Sequence, residues 1–114
     1  MYVCDREDLF TVAAEVDGCL RDGGYVIIKD FCPTFAYVNP YCHEDGMVSF
    51  KMDYSKMFLW NPAYSEIYRS VFVHGDIGKR IKPEERMAVS VIQKHMEFAY
   101  PLSPWGDSKE DCVI

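Results

Sequence analysis

Gly23-Gly24-Tyr25-Val26-Ile27-Ile28-Lys29-Asp30-Phe31 is the stretch on which the fold turns. A glycine pair ends whatever element precedes it, and the apolar run Tyr25 to Ile28 reads as a strand buried on both faces, as in a parallel sheet. Upstream, Leu9, Val12, Ala13, Val16, Cys19 and Leu20 recur at three- and four-residue steps, while Glu15, Asp17 and Arg21 lie off that face. This predicts an amphipathic helix over residues 6–21. Asp5 stands where a side-chain oxygen caps it, Glu7 and Asp8 suit the positive end of its dipole, and Gly23 or Gly24 supplies the left-handed residue that closes it. Met1-Tyr2-Val3-Cys4 reads as a short strand ahead of the helix. Strand, helix, strand implies a parallel pair joined by a right-handed crossover.

Downstream, the tract 32–46 mixes aromatics, prolines and one histidine without a period and reads as an ordered loop, the length of a lid or binding loop. Residues 53–60 suit a short helix that Asn61-Pro62 stops. Residues 64–74 and 86–94 both alternate apolar and polar positions. The connection between them, from Gly75-Asp76-Ile77-Gly78 to Pro83, is too short for a crossover helix, so they form an antiparallel hairpin with a long tip. The period fails after Lys94. The organisation expected is an α/β domain over residues 1–94 and a tail over 95–114, with no internal repeat.

Composition bounds the function. With 114 residues, 49% of them hydrophobic and 26% charged, the chain is a single globular domain, small for a complete enzyme with a cofactor site. A formal net charge of -6 leaves no basic surface for phosphates, which argues against nucleic acid. No run of apolar residues is long enough to span a membrane, and acidic residues follow Met1, so the expectation is a cytoplasmic protein with no membrane partner. Five cysteines at irregular spacings suit reduced thiols better than a disulfide framework.

Asp5-Arg6, the helix, the stretch Gly23 to Phe31, Asn39-Pro40-Tyr41-Cys42-His43-Glu44-Asp45-Gly46 and Ser49-Phe50-Lys51-Met52-Asp53-Tyr54-Ser55 together resemble the C-terminal half of class I S-adenosylmethionine-dependent methyltransferases. Arg86-Met87-Ala88-Val89-Ser90-Val91-Ile92 resembles that family's closing strand. The resemblance covers about residues 1–94 and implies a partial doubly wound, Rossmann-like α/β fold. Its mixed sheet would end in an antiparallel hairpin and lack the N-terminal cofactor-binding half. In the family the donor is held by a glycine-rich turn and by an acidic residue that takes the ribose hydroxyls. No G-x-G occurs in this sequence, and Gly23-Gly24 precedes a strand where the cofactor turn should follow one. S-adenosylmethionine is therefore implied by the resemblance alone, and no cofactor is expected on these residues by themselves. The function expected is a remnant or split substrate-side part of a methyltransferase, inactive alone. The alternative is a non-enzymatic, self-associating binding protein that reuses the half-fold. Either reading calls for a homodimer or a complementary chain at the edge the donor half would cover.

Six residues are candidates for a substrate pocket: Asp30 at the carboxyl end of its strand, where open α/β sheets place ligands, and, as the resemblance implies, Tyr37, Tyr41, His43, Tyr54 and Trp60 in the tract that follows. His43 could serve as a general base, with packing of clustered aromatics as the ordinary reading. Cys32, Cys42, His43, His74 and His95 offer zinc-type donors but no C-x-x-C or H-x-x-x-H spacing, so no metal is expected. No cysteine has a His-Asp arrangement beside it, and no catalytic residue is assigned. Lys51 and Asp53, two apart in an extended segment, read as a solvated ion pair.

Overall fold

The computed structural model describes residues 4–40, 44–73 and 82–106. Arg6–Asp8 forms a 3-10 turn that leads into helix α1 (Leu9–Cys19), followed by strands β1 (Tyr25–Phe31), β2 (Tyr37–Pro40) and β3 (Val48–Lys51), helix α2 (Lys56–Leu59), and strands β4 (Tyr64–Val73) and β5 (Arg86–Lys94). The architecture is α/β. β1, β5 and β4, in that order, make a three-stranded sheet, and β2 with β3 makes a separate two-stranded one.

Every ladder among the described residues is antiparallel, so the parallel pair expected around Tyr25 to Phe31 is corrected. β1 pairs with β5, from Tyr25 opposite Gln93 to Phe31 opposite Met87. The expected partner, Met1-Tyr2-Val3-Cys4, lies almost wholly outside the described residues. The hairpin of β4 and β5 forms as expected, from Tyr64 opposite Lys94 to Val73 opposite Arg86, with its tip outside the described residues. Since β5 is antiparallel to both neighbours, β1 and β4 run in the same direction on either side of it.

The tract 32–46 is not a plain loop. Tyr37 to Pro40 extends and pairs with Val48 to Lys51. A two-stranded ribbon is all edge, so Pro40, which lacks an N–H, is tolerated at the end of its ladder. β1 is not buried on both faces either. Val26, Ile28 and Asp30 point inward, while Tyr25 and Ile27 are 54% and 66% exposed. An antiparallel sheet packs on one face and leaves the other open.

The core lies on the packed face: Phe58, Ala63, Tyr64 and Ile92, with Ala13, Val16 and Leu20 of the α1 segment and Val26 and Ile28 of β1 against it. This is the helix face read from the sequence, apart from Cys19, which is exposed. Asp5 makes no side-chain cap; its carbonyl instead accepts from Asp8 N at 2.9 Å. α1 ends on an extended Leu20 rather than on the left-handed glycine expected, and Gly23, at φ 80°, instead makes the turn into β1. A bulge between Glu66 and Tyr68 shifts the parity of β4. Arg69 and Val71 thus join Tyr64 and Glu66 on the packed face, opposite Ser90, Ala88, Lys94 and Ile92.

Lys94 ties the layers. Its Nζ donates to the carbonyls of Asp17 and Leu20 at 2.8 and 3.1 Å, the first of which also accepts from Leu20 N at 3.2 Å. The same ammonium pairs with Asp17 at 3.1 Å, and the Tyr64 hydroxyl donates to that carboxylate. The Tyr64 hydrogen bond, then Lys94, holds the Asp17 carboxyl below its ordinary 3.8. A lowered carboxyl pKa stabilises the fold above the unfolded value and loses that contribution as pH falls through it. Asp17→Asn should therefore flatten the acid limb of stability below about pH 4, read as urea midpoint against pH. Ile92→Ala, at a fully buried position, should cost about 2–5 kcal/mol in urea unfolding.

Candidate functional site

Two features stand out, one of them at the carboxyl end of β1. The first is a partly buried polar cluster around Arg69. The bulge in β4 turns this side chain onto the packed face, where one nitrogen, Nη2, reaches Asp53 Oδ2 at 2.8 Å and Cys32 Sγ at 2.9 Å. The other, Nη1, reaches Glu66 Oε2 at 2.9 Å and Ser55 Oγ at 3.2 Å. Glu66 Oε2 also accepts from Ser90 Oγ of β5. Burial would lower the Arg69 pKa, but the Glu66 hydrogen bond and the charges of Asp53 and Glu66 outweigh it and raise it. The guanidinium is a fixed cation with its fork already filled, which suits anchoring rather than proton transfer.

Asp53 is held from both sides. Its Oδ1 accepts from Ser55 N and Ser55 Oγ in a turn that starts α2, while its Oδ2 takes the arginine. The expected ion pair of Lys51 with Asp53 does not form. Lys51 is buried, donates to Glu84 O at 2.8 Å and sits 3.9 Å from the centre of the Phe31 ring. Residues two apart share a face only while the segment stays extended, and the turn at Asp53 ends that.

Asp30 and Tyr54 line a small cleft beside Arg69. Asp30 is buried, and its Oδ1 accepts from Phe31 N at 2.7 Å. Tyr54 is buried and donates to the Phe50 carbonyl; burial, with the charges of Asp30 and Cys4, pushes its hydroxyl up to about 12. The phenol is thus a structural donor at neutral pH.

The second feature is a groove of about 340 Å3 between the start of α1, the β2–β3 ribbon and α2. Leu9, Phe10, Tyr37, Phe50, Met52 and Met57 are among the side chains that line it. Tyr37 Oη is buried and has no hydrogen-bond partner among the described residues. Such an orphan hydroxyl costs about 1–3 kcal/mol. Burial first, then the charge of Glu84, raises its pKa, which keeps it a donor.

Of the six sequence candidates, the structure brings Asp30 and Tyr54 together beside Arg69 and puts Tyr37 in the adjoining groove. Trp60 does not join them. It is 76% exposed, donates to Met57 O at 3.0 Å and lines a different depression with Asp17 and Tyr64. Tyr41 and His43 lie outside the described residues. Sequence reasoning missed Arg69, Glu66 and Ser90 and weighed Cys32 only as a metal donor; their meeting depends on a bulge that alternation does not announce. Among the described residues, no group of three or more His, Cys, Asp or Glu is placed to hold a metal ion, and no helix is long and apolar enough to cross a membrane.

Arg69→Lys keeps the charge but not the fork and should cost about 1–2 kcal/mol in urea unfolding. Arg69→Met, which leaves Asp53 and Glu66 unpaired, should cost more, about 2–4 kcal/mol by the same measurement.

Comparison with known proteins finds no matching family model, no matching curated protein and no matching solved structure.

Proposed function

We propose that these residues form the substrate-side part of a class I S-adenosylmethionine-dependent methyltransferase fold, partial and Rossmann-like, that acts with a donor-binding part they do not contain. The observation that carries the reading is the strand order. The segment that resembles the family's closing strand, Arg86 to Ile92, runs antiparallel within a reversed hairpin and lies against the strand that follows the glycine pair. Resemblance and arrangement thus agree on these two segments. A helix on the packed face before β1 and a small cleft at the carboxyl end of β1, lined by Asp30 and Phe31, fit the same reading, since open α/β sheets bind ligands there.

The donor side has no counterpart in this sequence, which has no glycine-rich turn to approach a cofactor closely. A complementary polypeptide, supplied by another chain or by further residues of this one, completes the site. The isolated chain should give no saturable heat with S-adenosylmethionine in calorimetry, and no transfer from labelled donor above a protein-free control. Mixed with a polypeptide encoded beside it that carries a glycine-rich turn, it should bind the donor as neither does alone. Saturable donor binding by the chain alone, or none by such a pair, would sink the reading.

A second reading, a self-associating binding protein, is favoured by the open sheet face. Tyr25, Ile27 and Tyr68 are each more than half exposed there, beside half-buried Val89 and Val91. Apolar faces of this kind mark interaction surfaces. On this reading the chain is a two-fold homodimer. Light scattering at micromolar concentration decides, because a single-chain mass rejects it.

A further inference from the structure

One face of α1 carries a trough. Phe10, Ala13, Ala14 and Asp17 stand at three- and four-residue steps, so they share that face, with two small side chains between a ring at one end and a carboxylate at the other. The two ends lie about 10 Å apart along the helix axis. Phe58, Trp60 and Tyr64 stand across the trough, and the whole encloses a depression of about 210 Å3. Phe58 and Tyr64 are buried and lie toward the core, while Phe10 and Trp60 are 70% and 76% exposed and wall it. The indole is fixed, because its Nε1 donates to Met57 O at 3.0 Å.

The carboxylate sets the charge of the guest. Lys94 and the Tyr64 hydroxyl both reach Asp17 through Oδ1, and Oδ2 has no partner among the described residues. The Lys94 ammonium spends its three hydrogens on that oxygen and on the carbonyls of Asp17 and Leu20, and its side chain is only 9% exposed. The Asp17 side chain, by contrast, is 51% exposed and lines the depression. An open carboxylate oxygen and the faces of aromatic rings attract the same thing, a cation. The net charge of -6 acts in the same sense.

The rest of the lining narrows the class. A primary ammonium has three N–H groups to satisfy, and the trough sets one carboxylate oxygen among alanines, a methionine and rings. Asn61, at its edge, already engages its side-chain oxygen with Ala63 N at 2.9 Å. A quaternary ammonium has no N–H to satisfy and presents methyl groups to the apolar lining.

We propose that this trough binds a small molecule bearing a quaternary ammonium group, with the charged head between Phe10 and Trp60 and beside Asp17 Oδ2. The site is separate from the cluster around Arg69, and neither a donor-binding part nor self-association enters the inference.

Trp60 reports on its own site once the other tryptophan, Trp105, which is 89% exposed, is replaced by phenylalanine. The full chain carrying Trp105→Phe is titrated with choline and with its uncharged isostere 3,3-dimethyl-1-butanol at constant ionic strength, and Trp60 fluorescence is followed. Choline should change it saturably and bind about tenfold more tightly than the alcohol, the combined worth of an exposed ion pair and a cation over a ring. Asp17→Asn should cut that preference to about threefold, what the rings give alone. Because this substitution also touches Lys94, Phe10→Leu, at an exposed position, is the second variant; it should weaken choline about threefold and the alcohol by less. A response that does not saturate, equal affinity for the two guests, or a tenfold preference that survives either substitution would each overturn the proposal.

Discussion

The fold hangs on the insertion of β5 between β1 and β4. Neither outer strand touches the other, and each finds its ladder only in β5. One strand therefore satisfies backbone groups on both sides while presenting Ala88, Ser90, Ile92 and Lys94 to the packed face. Its last residue does the most. The Lys94 carbonyl accepts from Gly23 N at 2.7 Å, its N–H donates to Gly24 O at 2.9 Å, and its ammonium closes the end of α1. The glycine pair, the helix end, β1 and β5 are fixed together at this point, so the position of the helix on the sheet follows from one side chain and two backbone bonds.

Along the packed face the chemistry changes character. At the Lys94 end it is apolar, with Phe58 and Tyr64 edge to face at 5.4 Å over Ile92. Toward the carboxyl end of β1 it becomes a charged network in which Arg69 joins Asp53, Glu66, Ser55 and Cys32. A half-buried guanidinium with all its neighbours paired contributes little net stability over an apolar replacement, but breaking it leaves carboxylates without counter-charge. Its effect is positional. It binds β4 to the turn that starts α2 and to the residue after β1, and so sets the wall from which the ribbon and the groove extend. Tyr37 lines that groove while its hydroxyl is buried and without a partner among the described residues.

Much of this was legible in the residues, for identifiable reasons. The helix period of Leu9, Val12, Ala13 and Val16 and the alternation of Met87 to Ile92 are local signals, and both elements occur where they indicate. The long connection between residues 31 and 64 was harder. Tyr37-Val38-Asn39-Pro40 is short and ends in proline, so its strand character depends on a partner, Val48 to Lys51, that only the folded chain supplies. Of the candidate site, Asp30 and Tyr54 were identified from their place at a strand end and in an aromatic tract. Trp60 was grouped with them by proximity in sequence, yet it faces solvent on the other side of α2.

The sequence by itself determined the helix, the position of β1 and the hairpin of β4 with β5, because each is written in a period or a breaker that acts over a few residues. Only the tertiary structure decided the partner and direction of β1, since an apolar run looks the same whether its neighbour runs parallel or antiparallel. It also decided the parity of β4. One extra residue at Ile67 turns Arg69 inward and carries Ile67 itself out to 54% exposure. A bulge is chosen by what the two faces must pack against, and those demands come from residues far along the chain.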